Sequence, residues 1–157
     1  MNRALFLDRD GVINMQPEGR YVNRPEDFVL APGIQALVRS FRARGYLPIV
    51  VTNQAGVAHG FLTQQDLDSI HDKMLRLFKR SGASLCSIYE CTEKDGPMRK
   101  PEPGMLLQAQ RDWDIDMDNS ILIGDQITDI QAGRAAGVGV NILIESGGVG
   151  KVLELLR

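Results

Sequence analysis

Four short polar stretches hold the residues of this sequence that could do chemistry: Asp8-Arg9-Asp10, Thr52-Asn53-Gln54, Arg99-Lys100 and Gly124-Asp125. Asp8, Asp10 and Asp125 offer hard oxygen ligands, and Mg2+ takes one or two carboxylates together with water and substrate phosphate. Lys100 could grip a phosphoryl oxygen and offset a nucleophilic carboxylate. The Thr52 hydroxyl and the Asn53 amide can donate hydrogen bonds to the same group. Such a set suits phosphoryl transfer, where catalysis is mostly positioning and charge stabilisation. In that scheme Asp8 attacks phosphorus to give an aspartyl-phosphate. Asp10 protonates the leaving oxygen and then activates the hydrolytic water. Mg2+ screens the approach of one anion to another.

These stretches are far apart in the chain, so the fold must gather them. Ala4-Leu5-Phe6-Leu7 is an apolar run bounded by charge, the pattern of a buried parallel strand. Alternation along it sends Asp8 and Asp10 out on one side of its end. Like charges this close repel, so a cation is needed beside them. Pro32 opens a helix at its first position, with Ile34, Leu37, Val38 and Phe41 as the apolar stripe, and Gly45 closes it. A strand over 46–51 follows, kept despite Pro48 because Ile49-Val50-Val51 is strongly β-branched. Thr63 and Asp66 form a capping box for a helix with Leu67, Ile70, Met74, Leu77 and Phe78 inward and Gly82 beyond its end. Further strands are expected over 85–91, 120–123 and 138–143. Further helices are expected from Pro103, over 129–136 and over 149–156.

Strand and helix alternate throughout, which predicts a Rossmann-like three-layer α/β/α sandwich on a mainly parallel sheet with right-handed crossovers. In such a sheet all strand carboxyl ends lie at one edge, where ligands bind. The chain of 157 residues reads as one domain over 1–157, with no insertion large enough for a folded cap. A net charge of −2 supplies no basic field for nucleic acid or a membrane surface. No apolar run reaches membrane-spanning length. Two cysteines in a chain this size predict free thiols, and the reading is a cytoplasmic protein, monomeric, acting on a phosphorylated small molecule.

The four motifs together resemble the haloacid dehalogenase (HAD) superfamily of phosphohydrolases. They are Leu7-Asp8-Arg9-Asp10-Gly11-Val12, Val51-Thr52-Asn53-Gln54, Arg99-Lys100-Pro101, and Gly124-Asp125 with Asp129. The Asp-Arg-Asp-Gly form, the Gly56…His59-Gly60 loop and Arg99-Lys100-Pro101-Glu102-Pro103-Gly104-Met105 resemble its capless branch of heptose-bisphosphate and histidinol-phosphate phosphatases. The resemblance implies Asp8 as nucleophile and Asp10 as general acid and base. It implies a metal held by Asp8, the Asp10 backbone carbonyl and Asp125, with Thr52 and Lys100 on the phosphoryl oxygens. It further implies substrate contacts from Asn53, Gln54 and Arg99, from the Gly19-Arg20-Tyr21 loop, and from Gln126. Heptose 1,7-bisphosphate is the implied substrate, with histidinol phosphate, another sugar phosphate or a nucleic-acid 3′-phosphate as alternatives. A catalytically silent binding protein on the same fold is the alternative from another class. This branch often carries a zinc loop after the third strand. Here Cys91 to Met98 has one cysteine and no histidine, so no structural zinc is expected.

Other residues admit two readings. Asp129 is either a residue holding Lys100 or the metal's waters, or a first-turn acid that favours a helix N-terminus. His71 reads as a partly buried packing residue on the Thr63 helix, and His59 as a loop residue within reach of substrate. Gly147-Gly148-Val149-Gly150-Lys151 lacks the spacing of a phosphate loop and reads as a turn before the last helix.

Overall fold

Five short strands, all parallel, form the central sheet of the computed structural model, which describes residues 1–18 and 20–156. They are β1 (Arg3–Leu7), β2 (Tyr46–Asn53), β3 (Ser87–Cys91), β4 (Ile121–Gly124) and β5 (Val140–Leu143), in spatial order β3-β2-β1-β4-β5. The helices are α1 (Ile34–Ala43), α2 (Gln64–Arg80), α3 (Gly104–Trp113), α4 (Ile127–Ala135) and α5 (Val149–Leu155). The strand order reverses direction between β1 and β4, and a crevice opens there at the carboxyl edge of the sheet.

The alternation of β1 explains the three layers. Leu5 and Leu7 face one side and pack with Ile34, Leu37 and Val38 of α1, Leu67 and Ile70 of α2, and Val149 of α5. Ala4 and Phe6 face the other side and pack with Met105, Leu106 and Ala109 of α3 and Ile130 of α4. All four of these strand residues are wholly buried. Each large one contributes about 1.5–3 kcal/mol through removal from water.

Element boundaries shift from the sequence expectation for local reasons. Pro32 does not begin α1. Gly33 takes a left-handed backbone, φ 86°, and caps the helix, so the helical path starts two residues after the proline. The helix expected over 129–136 begins at Ile127, which makes Asp129 its third residue. Pro48 lies inside β2, but its carbonyl accepts from Cys86 N on the β3 side, one residue before the β3 register begins at Ile49–Ser87. The missing N–H therefore faces that same edge, and the β1–β2 ladder runs unbroken through Leu5–Pro48. The Thr63–Asp66 capping box is present: Asp66 N donates to Thr63 Oγ1 at 3.0 Å and Thr63 N to Asp66 Oδ2 at 2.9 Å. Strand β1 stops at Leu7, so Asp10 lies in a turn beyond it rather than in the strand.

Candidate active site

Asp8 is the first residue past β1 and Asp125 the first past β4, and these two strands are neighbours. Residues from opposite ends of the chain thus face each other across the crevice. Gly11 makes the approach possible. Its φ is +85°, and a Cβ placed there would lie 2.0 Å from Asp125 Oδ2. Gly11 O also accepts from Gly147 N at 2.7 Å, which ties the turn before α5 to the same rim.

Asp8 Oδ1 accepts from Arg9 N at 2.9 Å and from Lys100 Nζ at 3.0 Å. Lys100 is buried, and its ammonium donates also to Val51 O at 2.9 Å and pairs with Asp129 Oδ1 at 2.5 Å. Burial alone would lower its pKa, but the Asp8 and Asp129 charges outweigh it and raise it, so Lys100 is a fixed cation. Asp129 Oδ2 accepts from Gln126 N at 3.0 Å. Both readings of Asp129 therefore hold at once: it anchors Lys100 and caps α4. Burial lifts the Asp8 carboxyl to about 8, against the pull of Lys100 and with help from the Asp129, Asp10 and Asp125 charges. Burial and the Asp129 charge raise Asp125 as well. Ligand oxygens of Asp8, Asp125 and Asp129 lie within 4.8 Å of one another. Asp125 Oδ1 is buried without a hydrogen-bond partner among the described residues. Crowded carboxylates pushed upward, one of them orphaned, fit a hard divalent cation. Since Asp129 already uses both oxygens, Asp8 and Asp125 are the carboxylates open to it.

Asp10 sits differently. Its Oδ1 accepts from Arg9 Nη2 at 2.7 Å and Asn14 Nδ2 at 3.0 Å, and its Oδ2 from Gln54 Nε2 at 3.0 Å. Burial opposes its ionisation, but Arg9, Asn14 and Gln54 more than compensate and hold its pKa below the usual value. Asp10 rests as a carboxylate with its side chain turned to these donors. The Gln54 amide also donates to Thr52 Oγ1 at 2.9 Å, so it braces two neighbours. Thr52 is wholly buried, and among the described residues its own proton meets only a long 3.5 Å contact to Asn53 O. The Asn53 amide bonds Lys100 at both backbone atoms, donating to O and accepting from N, each at 3.0 Å. It fixes the segment that delivers the lysine.

A cleft of about 590 Å³ opens over this centre, lined by Asp8, Asp10, Lys100, Asp125, Gln126 and Arg99 among others. A narrower one of about 170 Å³ adjoins it, sharing Asp10, Tyr21, Asn53 and Arg99. The Arg99 Nη1 is buried without a partner among the described residues, beside both clefts. Tyr21 stacks on Phe61 at 5.8 Å and Phe61 on His59 at 5.6 Å, which makes an aromatic wall on the narrow cleft. Arg20 is set back from both, in a shallow depression with Gln16, Pro17 and Tyr21. Gly19 lies outside the described residues. Sequence reasoning missed Gln16, Thr128 and Ser146, which also line the main cleft, and the partners of Arg9. The one available signal was Arg9 itself, a cation inside a turn flanked by buried strand.

Residues 97–154 match the HAD-hydrolase-like family. The chain is 45% identical over 153 residues to a D-glycero-alpha-D-manno-heptose-1,7-bisphosphate 7-phosphatase of Burkholderia mallei, covering 91% of this chain and 80% of that one. It is 46% identical over 143 residues to the same enzyme of Campylobacter jejuni, covering 90% and 82%. A D-glycero-beta-D-manno-heptose-1,7-bisphosphate 7-phosphatase of Rhodopseudomonas palustris is 38% identical, with 86% and 79% covered. Among solved structures, a D,D-heptose 1,7-bisphosphate phosphatase from B. bronchiseptica, complexed with magnesium and phosphate, superposes with a TM-score of 0.85 at 26% identity, covering 99% of each chain.

Proposed function

The chain belongs to the HAD-like hydrolases, among their heptose-1,7-bisphosphate 7-phosphatases, and from that premise we propose that it removes the 7-phosphate of D-glycero-D-manno-heptose 1,7-bisphosphate. The carrying observation is Asp8, whose carboxyl has one oxygen held by Lys100 and which lines one cleft with Asp125, whose Oδ1 has no partner among the described residues. In this reading Asp8, ionised when positive charge at the site offsets the burial that raises its pKa, attacks phosphorus in line, the bond to the sugar oxygen breaks, and an aspartyl-phosphate forms on Asp8. Lys100 and the Thr52 hydroxyl stabilise the charge on the transferring group. An incoming phosphoryl dianion raises the Asp10 pKa by repulsion, so that Asp10 takes up a proton from solvent and passes it to the leaving oxygen. Once that proton is gone, Arg9, Asn14 and Gln54 favour the carboxylate that takes a proton from the hydrolytic water; the water oxygen bonds phosphorus, the Asp8 O–P bond breaks, and Asp8 and inorganic phosphate are released.

Asp8, Asp125 and the Asp10 backbone carbonyl would hold Mg2+, which when bound supplies charge neutralisation for the meeting of two anions. Arg99, with its unpartnered nitrogen, faces the part of the substrate beyond the reacting phosphate, alongside Tyr21 and Gln126. Asn53 and Gln54 serve the substrate through Lys100, Thr52 and Asp10. The higher identity to relatives named for the alpha anomer than to those named for the beta supports the alpha anomer as substrate. The same reading takes the chain as one catalytic domain, a cytoplasmic monomer with reduced thiols. Its described helices include none long and apolar enough to cross a membrane.

The test is phosphate release with Mg2+ on both heptose 1,7-bisphosphate anomers, histidinol phosphate and a panel of sugar phosphates. The alpha anomer is expected to give the highest kcat/KM, and Asp8→Asn to abolish turnover while the protein stays folded. A preference for histidinol phosphate overturns the substrate; turnover by Asp8→Asn overturns the mechanism.

A further inference from the structure

Arg9 is wholly buried, an uncommon place for a guanidinium, and the reaction as described does not use it directly. Its donors are met by three side chains. Nε donates to Asn14 Oδ1 at 3.2 Å, Nη2 to Asp10 Oδ1 at 2.7 Å, and Nη1 meets His71 Nε2 at 3.2 Å. Arginine has no acceptor, so His71 Nε2 must accept. The ring is then neutral with its proton on Nδ1, which lies 3.1 Å from Glu90 Oε1 and donates to it. Glu90 is fixed in turn by Gln64, whose Nε2 donates to Oε2 at 2.8 Å. The result is one chain of bonds from β3 and α2 to Asp10. Asn14 closes a triangle at its near end, accepting from Arg9 and donating to Asp10. The Phe28 ring lies 5.9 Å from the guanidinium carbon and walls the group in.

Charge neutralisation alone does not call for this arrangement, since a lysine would neutralise Asp10 equally well. A planar fork with a partner on each nitrogen fixes direction as well as charge. We propose that Arg9, backed by His71 and Glu90, is a positioning residue that aims the Asp10 carboxylate at the leaving-group oxygen. His71 thereby acts on proton transfer from outside the cleft: it keeps the guanidinium plane from turning. The proposal rests on the reading of Asp10 as proton donor to the leaving group.

The test compares leaving groups. An alkyl phosphate needs the acid; an aryl ester such as 4-nitrophenyl phosphate leaves as a stable anion and needs it far less. The readout is kcat/KM, which covers steps up to departure of the leaving group. Full acid catalysis contributes about 10²–10⁴-fold, so misaiming the group should cost the alkyl substrate about 10- to 100-fold more than the aryl one. That selective loss is expected in His71→Phe, which fills the site but offers neither acceptor nor donor. His71→Gln should restore the ratio, because an amide again presents both. Glu90→Ala, at the partly exposed end of that run of bonds, gives the same comparison should His71→Phe not fold, as judged by thermal melting. Equal losses on both substrates, or an unchanged ratio in a folded variant, overturn the proposal. Asp10→Asn separates the two claims. If it leaves the ratio unmoved, the acid assignment itself fails; if it lowers the ratio while His71→Phe and Glu90→Ala do not, only the positioning role falls.

Discussion

Replacing Gly11 by alanine probes whether the Asp8–Asp125 approach matters to the metal, and the structure gives two separate costs. The first is backbone strain. At φ +85° an L-residue is disfavoured, by about 1–2 kcal/mol. The second is contact. A Cβ 2.0 Å from Asp125 Oδ2 must open to at least 3.4 Å for ordinary packing, so the carboxylate moves by more than an ångström. Gly137→Ala isolates the first cost, because Gly137 has a similar φ, +86°, with nothing within 4 Å of the added carbon. Urea unfolding of the metal-free proteins should place Gly137→Ala about 1–2 kcal/mol below the parent and Gly11→Ala at least that far below it. Magnesium titration of activity should then divide them. Gly137→Ala keeps the parent's half-saturating concentration, whereas Gly11→Ala raises it by about 10- to 100-fold, the range seen when a ligand's support is disturbed. Equal magnesium requirement in the two variants would refute the claim that Asp125 ligates the metal from beneath Gly11.

Chelation should abolish phosphate release, and saturating Mg2+ should raise the unfolding free energy by about 2.7 kcal/mol at a hundred times its dissociation constant; titrated melts with and without EDTA check both. Arg99→Ala should raise KM for the bisphosphate by about tenfold and for a small monophosphate ester hardly at all, measured by phosphate release. The Glu90 carboxyl is held below its ordinary 4.5, first by the His71 hydrogen bond and then by Gln64, against the opposing effect of burial. A depressed carboxyl stabilises the fold above its unfolded value and loses that contribution as pH falls below 4.5. Thermal melts of Glu90→Gln should therefore fall less steeply than the parent's on the acid side and lie below them near neutrality.

The sheet, its helices and the four polar clusters were legible because each depends on local pattern. Asp8 and Asp125 sit just beyond strands and Lys100 in the proline-marked loop before α3, and a parallel sheet brings its strand ends and the loops beyond them to one edge. Helix starts were less legible. Gly33 and Pro32 both punctuate, and only the backbone shows which residue takes the left-handed turn. Polar partners were least legible. The sequence offers Asn53 and Gln54 as substrate contacts; both line the narrow cleft, and their amides also hold Lys100, Thr52 and Asp10, which no local pattern announces. By sequence His71 is a packing residue on the apolar face of its helix. It is buried as expected, but between Arg9 and Glu90, residues 62 and 19 positions away in sequence. An amide or imidazole announces its capacity to bond, not the side chain it will meet, and that depends on the register of strands distant in the chain.

The join between β1 and β4 has three register pairs, Leu5–Ile121 to Leu7–Ile123, against five between β1 and β2. It is the seam along which the first half of the sheet meets the second. Asp8 and Asp125 stand on opposite sides of that seam, so a cation shared between them is a clasp on the sheet's shorter join. A ligand that binds only the closed seam makes opening it more costly. A cation held there would protect the shortest join of the sheet, so proteolysis should cut the chelated protein sooner than the magnesium-saturated one.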